Sequence, residues 1–245
     1  MQAWFISDLH LKNINERNSV ILLRFLHSLK QDKATTHLFF LGDVFDLWVG
    51  SSDVFQKKFQ AIVDAIADLK RRGIEVVYFE GNHDVQIKNF WEQKFQIPVQ
   101  VDAKIFDLGP YQVRLEHGDY INPDDKAYLR YLEFIRNPKM NLVAEFIPGK
   151  FFDEVGSFAS RLSRKQSSTT RRDSEEVMRE RIRTYAQSKA RESEFDYIIT
   201  GHMHVRDEFE FDLNSKKKIS INLGSWFETP KALRLTEAGH SWVQL

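Results

Sequence analysis

Five short strings concentrate carboxylate, imidazole and amide side chains: Asp8-Leu9-His10, Gly42-Asp43-Val44-Phe45-Asp46, Gly81-Asn82-His83-Asp84, His117-Gly118-Asp119 and Gly201-His202-Met203-His204. These are donor types that divalent cations take. Cysteine is absent, which excludes thiolate nucleophiles, disulfides and Cys-ligated zinc or iron–sulfur centres. Two cations about 3.5 to 4 Å apart repel one another and need a bridging carboxylate with flanking carboxylate, imidazole and amide ligands. Such a pair makes a nucleophile of water at neutral pH and neutralises charge on a phosphoryl oxygen, so no protein nucleophile is required. Singly, each string has a plainer reading, since Gly, Asn and Asp favour turns. Their recurrence in order is the signal.

The elements that must position them are short β-branched and aromatic runs. Strands are expected at Ala3–Ser7, His37–Leu41, Glu75–Phe79, Tyr111–Glu116, Tyr197–Thr200, Phe209–Leu213 and Lys218–Leu223. The ligand-type strings follow the first five of these, at the C-terminal strand ends where open α/β sheets place their sites. In Asp8/His10 and His202/His204 the residues stand two apart, and in extended backbone such residues project to the same side. Apolar periodicity predicts helices over Arg17–Lys30 and Val54–Arg72, the second with start signals at Asp53 and Gln56 and a stop at Gly73. Alternating strands and helices make the class α/β.

The 35 Lys and Arg offset 35 Asp and Glu, so bulk positive charge does not hold this chain to nucleic acid. With 42% hydrophobic residues and 20 Phe there is enough apolar surface for a large core. No stretch approaches the roughly 18 to 20 apolar residues of a membrane span and the N-terminus has no leader-like pattern, so a cytoplasmic protein is expected. No Pro/Gly-rich linker divides residues 1–245, which reads as a single domain with one insertion from about Asn122 to Ser193. Inside it, Gly149–Arg172 carries six basic residues against two acidic ones, beside the apolar segment Asn141–Phe158. A solvated face and packing onto the main body are the plain readings. The functional reading is a greasy cleft that also rests on an anionic bilayer, placing the protein peripherally on the cytoplasmic face. His27, His37 and His240 have no ligand-type neighbours and read as structural, and packing is the expected role of Trp48 and Trp226.

The order of the five strings resembles the calcineurin-like metallophosphoesterase superfamily. That resemblance implies a four-layer α/β/β/α sandwich with two divalent metals between the sheets, commonly manganese, with iron or zinc as alternatives. It implies Asp8, His10, Asp43 and His204 at one metal and Asp43, Asn82, His117 and His202 at the other, with Asp43 bridging. His83 would be a catalytic side chain aimed at the scissile phosphate, with Asp84 orienting it, and Asp46 would accept a hydrogen bond from a ligand His. Within the superfamily, Gly42–Trp48 with Val49-Gly50, the run His117–Tyr128 and the insertion resemble the UDP-2,3-diacylglucosamine pyrophosphohydrolases of lipid A biosynthesis.

That family cleaves its substrate at the α-phosphorus to UMP and 2,3-diacylglucosamine 1-phosphate, under an inserted helical cap that holds the acyl chains. By the same resemblance Asp125 and Tyr128 fall in the segment that meets the sugar, with Arg164 and Lys165 added by location. This chain departs from the best-known branch, which has Arg where His83 stands. The partners implied are a nucleotide-linked lipid and an anionic membrane surface, with no stable nucleic-acid or obligate protein partner. The alternatives are the same machinery acting on another nucleotide, a phosphoprotein or a nucleic-acid end, and a non-catalytic scaffold of the same fold.

Overall fold

A computed structural model describes residues 1–51, 53–137 and 174–245. In chain order the elements are β1 (Gln2–Ile6), α1 (Arg17–Leu29), β2 (His37–Leu41), β3 (Trp48–Val49), α2 (Asp53–Lys58), α3 (Gln60–Arg71), β4 (Glu75–Phe79), β5 (Asp84–Val85), α4 (Lys88–Phe95) and β6 (Val99–Gln100). There follow β7 (Lys104–Leu108), β8 (Tyr111–Leu115), α5 (Lys126–Ile135), α6 (Glu175–Glu192), β9 (Tyr197–Thr200), β10 (Asp207–Leu213), β11 (Lys216–Asn222), β12 (Lys231–Thr236) and β13 (Gly239–Gln244).

The strands form a six-stranded sheet in the order β13-β12-β1-β2-β4-β6 and a five-stranded sheet in the order β10-β11-β9-β8-β7, with β3 and β5 paired separately. Strand alternation builds the layers. Ala3, Phe5, Phe39, Leu41, Val77 and Phe79 face one way and pack with Val113, Leu115, Ile199 and Ile221 between the sheets. Their neighbours Trp4, Ile6, Leu38, Phe40, Val76 and Tyr78 face the other way, onto Leu22 and Leu26 of α1, Ile62 and Ile66 of α3, and Trp91 of α4. On the far side of the second sheet, Ile198 packs on Ala186 and Ala190 of α6. The result is an α/β/β/α sandwich whose central strands are buried on both faces, as parallel strands require.

The helix expected over Val54–Arg72 is two helices, broken at Phe59 (φ −117°, ψ 24°). The break seats the buried Phe59 ring 4.6 Å from Phe45, beside Trp48, whose ring stacks 5.9 Å from Phe55. Packing of large rings outweighs the modest cost of one interrupted turn. The hairpin of β12 and β13 was not anticipated, because its strands mix polar and apolar residues and one of them sits beside Pro230.

The α1–α3 packing carries one test. Asp68 meets Lys30 Nζ at 2.8 Å and Arg72 Nε at 3.0 Å, and hydrogen bonds from Lys30 and Arg72 lower its carboxyl to about 2. A depressed carboxyl contributes stability above its unfolded value of about 4, which is lost as pH falls through its folded value. Because the side chain is 24% exposed, screening reduces the effect to about 1 kcal/mol. Urea unfolding should therefore find Asp68→Asn less stable than wild type by about that amount at pH 6, with the gap closing between about pH 4 and 2. A gap that persists at pH 2 would refute the ion-pair account.

Candidate metal centre

All five ligand-type strings converge where the C-terminal ends of β1, β2, β4, β8 and β9 meet. The loops after β1 and β2 are zipped together: Asp8 N–H donates to Gly42 O, His10 N–H to Asp43 O, Leu11 N–H to Val44 O and Asp46 N–H to Leu11 O. Asp8, His10, Asp43, His202 and His204 all have φ between 51° and 68°, so the two pairs spaced two apart are not extended as expected but in the left-handed region, which costs a residue with a Cβ roughly 1 to 2 kcal/mol. Strain gathered at one place marks a site that the surrounding structure enforces. Close approach is also built in, since a Cβ on Gly81 would collide with the Asp43 carboxylate, and one on Gly201 with that of Asp8.

Asp8, His10, Asp43 and His204 offer ligand atoms within 4.8 Å of one another. His10 Nε2 lies 2.9 Å from His204 Nε2 and 3.8 Å from Asp43 Oδ2, and His204 Nε2 lies 3.3 Å from Asp8 Oδ1. The Asp8 carboxylate is fixed by the Ser7 hydroxyl at 2.6 Å and the His202 N–H at 3.0 Å. Burial and neighbouring imidazoles push His10 well below its usual value, leaving it neutral, the form that binds metal.

On the other side of Asp43, its Oδ2 lies 3.7 Å from His117 Nε2, so one carboxylate oxygen faces an imidazole of each group. His117 Nδ1 lies 2.7 Å from Leu41 O. A carbonyl only accepts, so the proton sits on Nδ1 and the Nε2 lone pair points into the site. His117 Nε2 and Asn82 Oδ1 are buried with no hydrogen-bond partner. Two orphaned acceptors beside a shared carboxylate fit a second cation, because buried polar atoms are otherwise paired. Burial pushes His117 down, yet Asp43, Asp119 and Asp8 together outweigh it and raise it to about 9. A field that favours a proton there favours a metal cation equally. Burial lowers His202 to about 4 against the pull of Asp119, and its ring centroid is 5.1 Å from that of His117.

His83 stands at the edge of this arrangement. Its N–H donates to Asp43 Oδ1 at 2.9 Å, and its Nδ1 lies 2.9 Å from Asp46 O. The ring centroid is 4.8 Å from that of His10.

The expectation that Asp84 orients His83 is corrected. The Asp84 carboxylate is fully buried and accepts from the N–H groups of Asp43, Val44 and Gly81 and from the Tyr78 hydroxyl. It clamps the β2 and β4 loops together, and the Asp46 backbone carbonyl holds the ring instead. Burial and the charge of Asp43 raise Asp84 to about 7. The Asp46 carboxylate, expected to accept from a ligand His, lies in a group with His10 and His83, and the one Asp46 atom that meets the His83 ring within hydrogen-bond distance is its backbone carbonyl.

Asp119, part of the His-Gly-Asp string but not singled out in the sequence, has its carboxylate 3.9 Å from His202 Nδ1. Arg136 donates to it at 2.6 Å and the Tyr128 hydroxyl donates to its other oxygen. Burial would raise Asp119, but His117 and Arg136 hold it down at about 2. Of the residues expected at the sugar, Tyr128 is buried with its hydroxyl engaged there, and Asp125 is the N-cap of α5, accepting from Tyr128 N–H at 3.0 Å. Arg164, Lys165, the apolar segment Asn141–Phe158 and the basic run Gly149–Arg172 lie outside the described residues. Among the described residues no helix is long and apolar enough to cross a membrane.

The profile described as calcineurin-like phosphoesterase matches residues 1–206, from β1 through His204. The chain belongs to the calcineurin-like phosphoesterase family. It is a metallophosphoesterase, a hydrolase of a family that uses divalent metal, and Asp8, His10, Asp43 and His204 form one candidate ligand group and His117, Asp119 and His202 another.

The chain is similar to the UDP-2,3-diacylglucosamine hydrolase of Photorhabdus laumondii subsp. laumondii, with 26% identity covering 97% of this chain and 96% of that one. It is similar to the protein of the same name from Neisseria meningitidis serogroup A, with 27% identity covering 99% and 98%. A third such hydrolase, from Stenotrophomonas maltophilia, is 27% identical and covers 98% and 97%.

Proposed function

We propose that this phosphoesterase cleaves the pyrophosphate of UDP-2,3-diacylglucosamine, releasing UMP and 2,3-diacylglucosamine 1-phosphate. The observation that supports this substrate is a near full-length similarity to three hydrolases of that name, in a chain whose paired donor clusters share Asp43. Asp8, His10, Asp43 and His204 would hold one cation, and Asp43, Asn82, His117 and His202 the other, with manganese the metal of this proposal. When bound, the two cations supply charge neutralisation at the phosphoryl oxygens and a water of lowered pKa.

The chain's own groups do the rest. Asp43 presents one oxygen to both halves of the site and uses the other to fix the His83 backbone. His83, its Nδ1–H donating to the Asp46 carbonyl, directs Nε2 at the scissile phosphate, where it either protonates the leaving oxygen or stabilises charge on the phosphoryl group. Asp119, held by Arg136 and Tyr128, steadies His202.

A substrate panel with manganese tests the reading: the diacyl UDP-sugar, soluble dinucleotides, a phosphopeptide and a nucleic-acid end. The expected result is UMP release from the diacyl UDP-sugar, with ¹⁸O from labelled water found in UMP. Efficient cleavage of soluble dinucleotides with none of the lipid would overturn the substrate, and label in the sugar 1-phosphate would overturn attack at the α-phosphorus.

A further inference from the structure

A cleft of about 250 Å³ opens beside the metal centre, lined by His10, Lys12, Glu16, Arg17, Asn18 and Phe227. It is smaller than the roughly 300 to 1,000 Å³ that takes a whole drug-sized ligand, so it suits part of a substrate. His10 belongs to both the cleft and the first donor cluster, so a group in the cleft is adjacent to a phosphorus at the centre.

Phe227 is 57% exposed. Its ring stacks on His10 at 5.3 Å and 16° and meets the edge of His204 at 5.4 Å. The chain just before it is pinned: Trp226 N–H donates to Asp8 O, Asn18 Nδ2 donates to Trp226 O at 3.2 Å, and the Trp226 indole donates to Lys231 O at 3.1 Å. Phe227 is therefore a pre-positioned aromatic surface with its outward side in water.

Lys12 and Arg17 are exposed on the same wall, and neither side chain has an ion-pair partner among the described residues. The wall's one carboxylate, Glu16, accepts the Lys12 backbone N–H at 2.8 Å. Two donor-only cations suit a ligand rich in acceptor oxygens. An aromatic platform suits a base, since every base has a π-face.

We propose that this cleft binds the nucleoside 5′-monophosphate half of the substrate, the base stacking on Phe227 and the phosphate oxygens drawn by Lys12 and Arg17. The proposal rests on the nucleotide reading above for its ligand and adds the residues that recognise it. The other half of the substrate then leaves the centre on the side away from Phe227.

Calorimetric titration of the manganese-loaded protein with UMP and with ribose 5-phosphate tests it. Wild type should bind UMP more tightly by roughly tenfold, the contribution of one stacked base. Phe227→Ala should erase that preference, Phe227→Trp should keep it, and Arg17→Gln should weaken both ligands alike. The site is refuted if wild type shows no preference for UMP, or if Phe227→Ala leaves the preference intact. Hydrolysis of UDP-2,3-diacylglucosamine is read separately. A base preference that depends on Phe227, without lipid hydrolysis, supports the cleft and overturns only the substrate. Lipid hydrolysis with a preference indifferent to Phe227 overturns only the cleft.

Discussion

Asp43→Ala is expected to abolish hydrolysis and lower the metal content together. The carboxylate lies 3.8 Å from His10 Nε2 and 3.7 Å from His117 Nε2, so it faces an imidazole of each proposed ligand set. Unit charges about 4 Å apart repel by roughly 4 kcal/mol at the effective dielectric of protein sites, and two divalent ions by about four times that. Without the carboxylate between them, Asp8 remains at only one of the two proposed sites, the repulsion is less offset, and at least one metal should leave. Alanine at φ 53° adds backbone strain of its own, and Asp43→Asn separates the effects. The amide can still accept the His83 N–H and Asn tolerates the left-handed region, so only the charge is removed. Elemental analysis of both variants beside turnover checks the prediction. Two metals per chain and wild-type turnover in Asp43→Asn would show that Asp43 bridges nothing.

What could be read from sequence was what depends on period and on strand ends. Five strands and their terminal strings were legible because each apolar run stops where polar side chains begin, and the run lengths exclude long helices. The sandwich followed from resemblance, while the structure supplies its cause in the alternation of Ala3 and Phe5 against Trp4 and Ile6. Contacts between distant segments were not legible. Asp84 looks like a partner of His83 because it is next to it, yet it opens β5, and neighbouring side chains along extended backbone point to opposite sides. Its actual partners include the Val44 N–H, from the loop after β2, and the Tyr78 hydroxyl, from β4. Asp119 was in view in its string, but its importance depends on Arg136, seventeen residues on, at the C-terminal end of α5. Phe59 broke a helix that periodicity made continuous, since ring packing against Phe45 and Trp48 is invisible to a helical wheel. Phe227 gave no signal at all, because an exposed aromatic in a loop differs from a buried one only in the folded chain.

His83→Ala should lower turnover by about 10²-fold or more while both metals stay bound. The imidazole is outside the proposed ligand set, so its loss leaves the donors at Asp8, His10 and Asn82 in place. The Asp46 carbonyl 2.9 Å from Nδ1 dictates the tautomer: the proton is on Nδ1, and Nε2 is the only ring atom that can exchange a proton with substrate. Two roles remain, proton donor to the leaving oxygen and stabiliser of charge on the phosphoryl group, and the leaving group separates them. An oxygen that departs readily without protonation should recover most of the lost rate in His83→Ala if the ring is an acid. It should recover little if the ring stabilises charge, because that charge develops whichever group leaves. His83→Gln keeps a hydrogen-bond donor that is far too weak an acid to give up its proton, so it should rescue the second role and not the first. Unchanged turnover in His83→Ala, with metal content intact, would remove His83 from the chemistry and leave the cations and their ligands as the whole catalytic apparatus.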